Sequence, residues 1–215
     1  MYFKDAREKS NDLKVKRTMD ALAKNNMDAF YAKTEEESRT IFKSLLKEGA
    51  VVTAGGSMTC VELGFVDILR SGNYEYLDRE REGITKEEFQ EVQRKAFTAD
   101  YFITGTNAIT EKGELFNIDG NGNRVAAISF GPNQVIVISG ANKIVKDYDE
   151  ARKRVKSLSA PANAMRLDCN TPCSVDGICR DCASPQRVCC IEVLTGFQRI
   201  KDRIKVIIVD KDLGF

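Results

Sequence analysis

The chain has 215 residues, of which 42% are hydrophobic and 30% are charged. This composition is typical of a soluble globular domain and excludes the disordered and membrane classes. The 33 basic and 32 acidic residues nearly cancel, so we expect no nucleic-acid partner. Histidine is absent, which excludes Ser-His and Cys-His nucleophile pairs and His-ligated metals.

The sequence has no long apolar run, and its N-terminal region is charged throughout. We therefore expect neither a transmembrane helix nor a signal peptide, and we predict a cytoplasmic protein without a membrane partner. In that reducing compartment the seven cysteines are expected to be metal ligands or reactive thiols, not disulfides.

Short apolar runs alternate with amphipathic segments through the first half of the chain. Val15, Met19 and Leu22 have helical spacing and predict a first helix. Capping boxes are predicted at Thr34 and Thr85, each with a glutamate three residues later. The predicted strands are 29–32, 50–54, 74–77 and 101–104, and the helices that follow the first three are 34–49, 57–70 and 85–97. This order predicts an α/β fold with a mostly parallel sheet covered by helices on both faces.

The second half interrupts this alternation. Residues 114–119 and 124–129 flank a Gly/Asn-rich turn and predict a β-hairpin. A buried strand at 134–139, a helix at about 147–158 and a last strand at 203–209 follow. We predict a single α/β domain over residues 1–215, with an N-terminal helical part at 1–33 and a Cys-rich insertion at 159–190 before the last strand.

The first candidate site is the turn after the strand at 50–54. Gly55, Gly56, Ser57 and Thr59 lie where a strand passes into a helix, and the free amides of a helix N-terminus can hold a phosphate or carboxylate. The alternative is a tight turn in which Ser57 only caps the helix. The motif is not GxGxxG, so we expect no tightly bound NAD or FAD.

The second candidate site follows the strand at 101–104. Its polar residues are Thr106, Asn107, Asn117, Asp119 and Arg124. Open α/β sheets bind ligands beyond the carboxyl ends of their strands, so these side chains are candidate ligand contacts. The alternative is that the Asn, Asp and Gly residues serve turn geometry alone.

Six cysteines lie between positions 169 and 190. Such a cluster suits Zn²⁺ or an iron–sulfur cluster, both of which thiolates hold, and unmetallated thiols are the third alternative. The predicted ligands are Cys173, Cys179, Cys182 and Cys189, with Cys169 and Cys190 as substitutes. Cys60 stands apart, either as a low-pKa thiol near a helix N-terminus or as a small buried residue.

In combination, several motifs resemble the LUD domain family, whose best-known members are lactate-utilization proteins of the LutC/YkgG type. The motifs are VTAGGSMT at 52–59, TGTNAIT at 104–110, NIDG at 117–120, GNRV at 122–125, GP at 131–132, GANKIV at 140–145 and APANA at 160–164. The Cys-rich segment is a departure from the simple members and resembles a stand-alone subset.

The resemblance implies a three-layer α/β/α fold of the NagB/RpiA/CoA-transferase-like type, whose members bind anionic ligands. It also implies iron–sulfur partner subunits in lactate oxidation and allows a homo-oligomer. The sequence therefore predicts a protein that binds a small anionic metabolite at the strand ends and takes part in lactate or organic-acid utilization. Glu62 and Glu111 are the carboxylates proposed for acid–base work.

Two alternatives remain open at this stage. The first is an electron-transfer or redox-sensing subunit that uses a Cys-ligated metal centre. The second is a structural zinc site that fixes the insertion to the sheet and leaves the chemistry elsewhere.

Overall fold

Two β-sheets form the framework of the computed structural model, which describes residues 3–215. The strands are β1 Asp28–Ala32, β2 Val51–Ala54, β3 Glu75–Leu77, β4 Tyr101–Gly105, β5 Ala108–Thr110, β6 Leu115–Asp119, β7 Gln134–Gly140, β8 Ile144–Val145, β9 Ile191–Thr195 and β10 Ile204–Val209. The large sheet has the order β1-β10-β7-β4-β2-β3, and all its neighbouring strands are parallel. The small sheet has the order β8-β5-β6-β9, in which β6 is antiparallel to β5 and β9.

The helices connect the strands and cover the large sheet. They are α1 Phe3–Lys24, α2 Glu35–Leu45, α3 Met58–Glu62, α4 Phe65–Arg70, α5 Lys86–Lys95, α6 Asn123–Ser129, α7 Tyr148–Arg154, α8 Ala160–Arg166 and α9 Pro172–Asp176. A π-helical turn, Val155–Ser159, joins α7 to α8. Within residues 3–215, none of the helices combines the length and the apolar character needed to cross a bilayer.

Side chains of the central strands alternate between two cores, one on each face of the large sheet. On β7, Ile136 lies in a core with Phe42 of α2 and Phe65 of α4, whereas Val137 lies in the opposite core with Val15 of α1. Strands buried on both faces carry apolar residues at successive positions, which is why these strands are continuous apolar runs in the sequence. The predicted α/β fold, with a mostly parallel sheet between two helical layers, is confirmed.

The predicted hairpin at 114–129 is wrong. Its first half is strand β6, but the partners of β6 are β5 and the distant β9. Its second half is helix α6, because Gly122 turns the chain in the left-handed region at φ 78°. Asp119 then accepts a hydrogen bond of 2.8 Å from the Val125 amide and satisfies a free donor in the first turn of α6.

Several helix boundaries also differ from the prediction. The helix predicted at 57–70 is two short helices, separated at Gly64, which has a φ of 71°. Helix α2 ends at Leu45, before Gly49. The capping box at Thr34 is partial: the Thr34 hydroxyl accepts from the Glu37 amide, but the Glu37 carboxylate accepts from the Lys33 amide and not from that of Thr34. The capping box at Thr85 is complete.

The predicted helix at 147–158 is helix α7 and its π-helical turn, and it continues into α8. The Cys-rich segment contains α9 and is followed by β9 of the small sheet before β10 is reached.

Candidate functional site

A cavity of about 670 Å³ opens at the carboxyl ends of β2, β4 and β7. Its walls include Gly56 and Ser57 after β2, Thr106 and Asn107 after β4, and Lys143 after β7. The opposite wall comes from residues around α8 and from residues 185–189. The position is the ligand-binding edge of open α/β sheets, and the volume lies within the range of small-molecule sites, about 300–1,000 Å³.

The structure brings six of the nine predicted ligand contacts to this cavity. They are Gly56, Ser57, Thr106, Asn107, Asp119 and Arg124. Gly55 is packed behind the wall, where an added Cβ would lie 3.1 Å from Thr104 Oγ1. Thr59 and Asn117 are each 1% exposed and also lie behind the lining residues.

Arg124 ties together three of the predicted residues. Its guanidinium donates to Asp119 Oδ1 at 2.9 Å, to Asn107 Oδ1 at 3.0 Å and to Asn117 Oδ1. The same group donates to the carbonyl oxygens of Gly105 and Ile118 at 3.2 and 3.1 Å. All five N–H groups of a guanidinium are thereby used within the protein. Arg124 therefore organises the cavity wall and leaves no donor free for a ligand.

Thr106 likewise forms its hydrogen bonds within the protein. Its hydroxyl lies 3.0 Å from the carbonyl oxygen of Ala108 and 3.2 Å from that of Phe116. The side chain holds the end of β4 against β6, and it is 3% exposed. The second candidate site is thus a hydrogen-bonded framework, in which Asn107 and Asp119 also have protein partners.

The turn after β2 is compact. Ser57 caps α3 by accepting from the Cys60 amide at 3.4 Å. Helix α3 has five residues, so it has a small dipole compared with that of the long helix that the sequence predicts. Gly56 lies under Arg79, since an added Cβ at this glycine would be 2.4 Å from Arg79 Nη2.

Lys143 is a lining residue that the sequence reasoning missed. Its side chain is buried, and Nζ donates to Thr59 Oγ1 at 3.0 Å. In the described part of the chain, no salt bridge joins Lys143 to a carboxylate. Burial, followed by the charge of Arg154, lowers the pKa of Lys143 to about 8. A buried ammonium with a neutral partner is costly, and an anion in the cavity would offset that cost.

Further cationic side chains that were missed are Arg79, Arg166 and Arg187. Arg79 packs on the Phe89 ring at 5.6 Å and has a long contact of 3.5 Å with Glu80. The acidic lining residues are Asp119, which pairs with Arg124 at 2.7 Å, and Asp168. Cations therefore outnumber acids around the cavity.

The two predicted acid–base carboxylates are placed elsewhere. Glu62 accepts from the Gly214 amide at 3.0 Å, and Glu111 pairs with Arg17 of α1 at 3.0 Å. Neither carboxylate is a lining residue of the cavity.

The four predicted thiol ligands line one small cavity of about 10 Å³. They are Cys173, Cys179, Cys182 and Cys189. The two substitutes lie apart from it, since Cys169 lines the large cavity and Cys190 is exposed. All the cysteines are free thiols, and within residues 3–215 no three Cys, Asp or Glu side chains are spaced as metal ligands.

Cys60 is a small core residue. It is 2% exposed and packs in the core beside α2 and α4. Burial raises the pKa of its thiol to about 11. Burial therefore favours the alternative of a small core residue over that of a low-pKa thiol.

Comparisons with known proteins give the following matches. The family model described as "LUD domain" matches residues 15–209. A crystal structure of a DUF162 family protein from Deinococcus radiodurans has a TM-score of 0.54 at 15% identity, over 93% of this chain and 98% of that chain. The crystal structure of eIF2B beta from Chaetomium thermophilum has a TM-score of 0.37 at 14% identity, over 54% and 44% of the two chains. No curated protein matches the sequence.

Proposed function

Because the chain belongs to the LUD domain family, we propose that it binds a small anionic metabolite in the cavity and takes part in the utilization of lactate or a related organic acid. The ligand is a carboxylate or a phosphorylated compound. It occupies the cavity at the ends of β2, β4 and β7, with the anionic group toward Lys143.

The environment of Lys143 is the main evidence for this proposal. Lys143 is 4% exposed, and its ammonium has a hydroxyl as its hydrogen-bond acceptor. Burial is the largest cause of its lowered pKa; the like charges of Arg154 and Arg124 lower it further, whereas the opposite charge of Glu62 raises it. An anion that reaches Lys143 therefore gains a charge-assisted hydrogen bond and offsets the cost of burying the ammonium.

Arg79 is the second cation of the proposed anion site. It stands over Gly56, where the absence of a Cβ leaves room for its guanidinium. Its long contact with Glu80, at 3.5 Å, leaves donors of the guanidinium free for a ligand. A planar guanidinium can hold a carboxylate or phosphate in a bidentate pair, which would orient the ligand.

In organic-acid oxidation, this chain would hold the anionic substrate. Partner subunits with iron–sulfur clusters, which the family resemblance implies, would accept the electrons. The proposal assigns no acid–base residue, because Glu62 and Glu111 do not line the cavity.

Calorimetric titration of the full chain with inorganic phosphate and with L-lactate tests the proposal. The test variant is Lys143→Met, which keeps the apolar stem and removes the buried charge. The matched control is Lys146→Met, because Lys146 is exposed and outside the cavity. We expect saturable binding of at least one anion, weakened about tenfold or more in Lys143→Met and unchanged in Lys146→Met.

The two probes separate the ligand classes. Binding of phosphate alone indicates a phosphorylated metabolite, and binding of L-lactate alone indicates a simple carboxylate. Equal affinity in the wild type and Lys143→Met contradicts the proposed site, and so does the absence of saturable binding with both anions.

A further inference from the structure

A second, small cavity lies beside the large one, in the Cys-rich segment. The cysteines that line the small cavity come from positions 173, 179, 182 and 189, so the chain folds back to bring them together. Hydrogen bonds across the segment hold this fold, among them Asn170 N to Gln186 Oε1 at 2.7 Å and Ser184 Oγ to the Asn170 carbonyl at 2.8 Å. The same fold leaves Cys190 exposed.

Arg187 lies against the grouped thiols. Its Nη2 donates to Cys189 Sγ at 3.5 Å, and Nη1 donates to the Cys182 carbonyl at 2.6 Å. Two other cations nearby are paired with carboxylates, Lys156 with Asp181 and Arg180 with Asp176. Arg187 is therefore the cation that contacts a thiol of the group.

Arg187 also carries a buried donor without an acceptor. Its Nε is the buried side-chain nitrogen or oxygen for which the described residues offer no hydrogen-bond partner. The side chain lines both the small cavity and the large one. Buried polar atoms are almost always paired, so an orphan donor beside four thiols indicates a missing acceptor.

We propose that Cys173, Cys179, Cys182 and Cys189 bind a thiophilic metal centre in the wall of the anion cavity. The centre is a Zn²⁺ ion or an iron–sulfur cluster, either of which four cysteine thiolates can hold. Arg187 lines both the small and the large cavity and would donate to a sulfur of the centre. This proposal does not depend on anion binding, because it concerns different side chains.

Metal binding would draw the thiols together. Zinc needs sulfur atoms at about 2.3 Å from the ion, whereas no three Cys, Asp or Glu side chains in residues 3–215 have metal-ligand spacing. The cavity of about 10 Å³ has room for a single small sphere. Residues 177–190 are free of helix and strand, so the segment can tighten around an ion or widen around a cluster without breaking either sheet.

The first experiment measures metal and acid-labile sulfide per chain, with a visible absorption spectrum, on full-length protein purified without oxygen. The variant Cys179→Ser/Cys182→Ser removes two proposed ligands. Cys190→Ser is the matched control, since this thiol is exposed and outside the small cavity. We expect stoichiometric metal in the wild type and Cys190→Ser, and at least a tenfold loss in the double variant.

The spectrum identifies the occupant. Iron with sulfide and visible absorption indicates an iron–sulfur cluster and favours an electron-transfer or redox-sensing role. One zinc per chain without colour indicates a structural centre. Wild-type protein that retains neither metal, even after incubation with zinc or with iron and sulfide, overturns the proposal.

Thiol alkylation followed by mass spectrometry tests the same claim without a variant. In metal-loaded protein we expect modification of Cys169 and Cys190 only, because Cys60 is buried and the other thiols bind metal. Removal of the metal with a chelator should expose the four ligands. Equal modification of all six cluster cysteines in the loaded protein contradicts the assignment.

Discussion

The lowered pKa of the Lys143 ammonium makes anion binding depend on pH. Burial and the charge of Arg154 lower its pKa to about 8, so the free protein loses this charge as the pH rises above that value. A bound anion favours the protonated form and raises the pKa again. Anion affinity should therefore be full below about pH 8 and should fall above it.

Sulfate is the suitable probe, because its charge is constant across this range. We expect the sulfate affinity of the wild type to fall by up to about tenfold for each pH unit above the pKa of Lys143. Lys143→Met should bind sulfate weakly and with little change over the same range, since the arginines stay charged. A wild-type profile parallel to that of Lys143→Met would remove Lys143 from the site.

A signal for Lys143 is present in the sequence. It is the one charged residue between positions 134 and 145, and it lies three residues after the end of the buried strand β7. A lysine in such an apolar context is expensive to bury, so its position alone could have indicated a site. Arg79 had no comparable signal, because it lies in a charged stretch and reaches Gly56 only through the tertiary fold.

At the scale of elements, the turn between β5 and β6 is fixed against the end of α1. Asn25 donates to the carbonyl oxygens of Lys112 and Gly113 at 3.0 and 2.8 Å. Gly113 has a φ of 75°, and an added Cβ would lie 2.3 Å from the Ala21 carbonyl carbon. The contact atom belongs to helix backbone, which cannot move aside as a flexible side chain can.

Gly113→Ala should consequently lower the free energy of unfolding by about 2–5 kcal/mol, the sum of left-handed strain and backbone overpacking. Gly49→Ala is the matched control, because Gly49 has a φ of 71° with nothing within 4 Å of an added Cβ. There we expect a loss of about 1–2 kcal/mol. Urea denaturation of both variants checks this, and similar midpoints would refute the packing of the turn on α1.

The wrong prediction of a hairpin at 114–129 shows the limit of local sequence patterns. Helix α6 has seven residues, too few for a 3.6-residue period to show, and Gly and Asn residues precede it as in a hairpin turn. The true partner of β6 on its other edge is β9, whose Ile191 pairs with Asp119. Strands that pair over such a separation in sequence carry no local sequence pattern from which the pairing could be predicted.

For the whole molecule, the sequence predicted the layers well and the site less well. The strands of the large sheet are buried on both faces, so their apolar runs and the helices between them indicated the fold directly. The site depends on which loops meet at the strand ends. The sequence indicated the turn at Gly56 and Ser57. It could not indicate that the Arg124 guanidinium donates its hydrogen bonds to Asn107, Asn117 and Asp119 and not to a ligand.

The two proposed sites share a wall. Arg187, Val188, Cys189 and Ala160 line both the large cavity and the small one. A metal centre held by thiolates would therefore lie in the cavity wall opposite Lys143. An electron-transfer role and an organic-acid ligand are thus compatible in one protein.

A crystal structure of the full chain grown with inorganic phosphate tests anion binding at Lys143 most directly. We expect phosphate in the cavity, with an oxygen within hydrogen-bond distance of Lys143 Nζ and another within reach of the Arg79 guanidinium. A phosphate bound elsewhere, or a cavity holding only water while Lys143 remains bonded to Thr59, would contradict it.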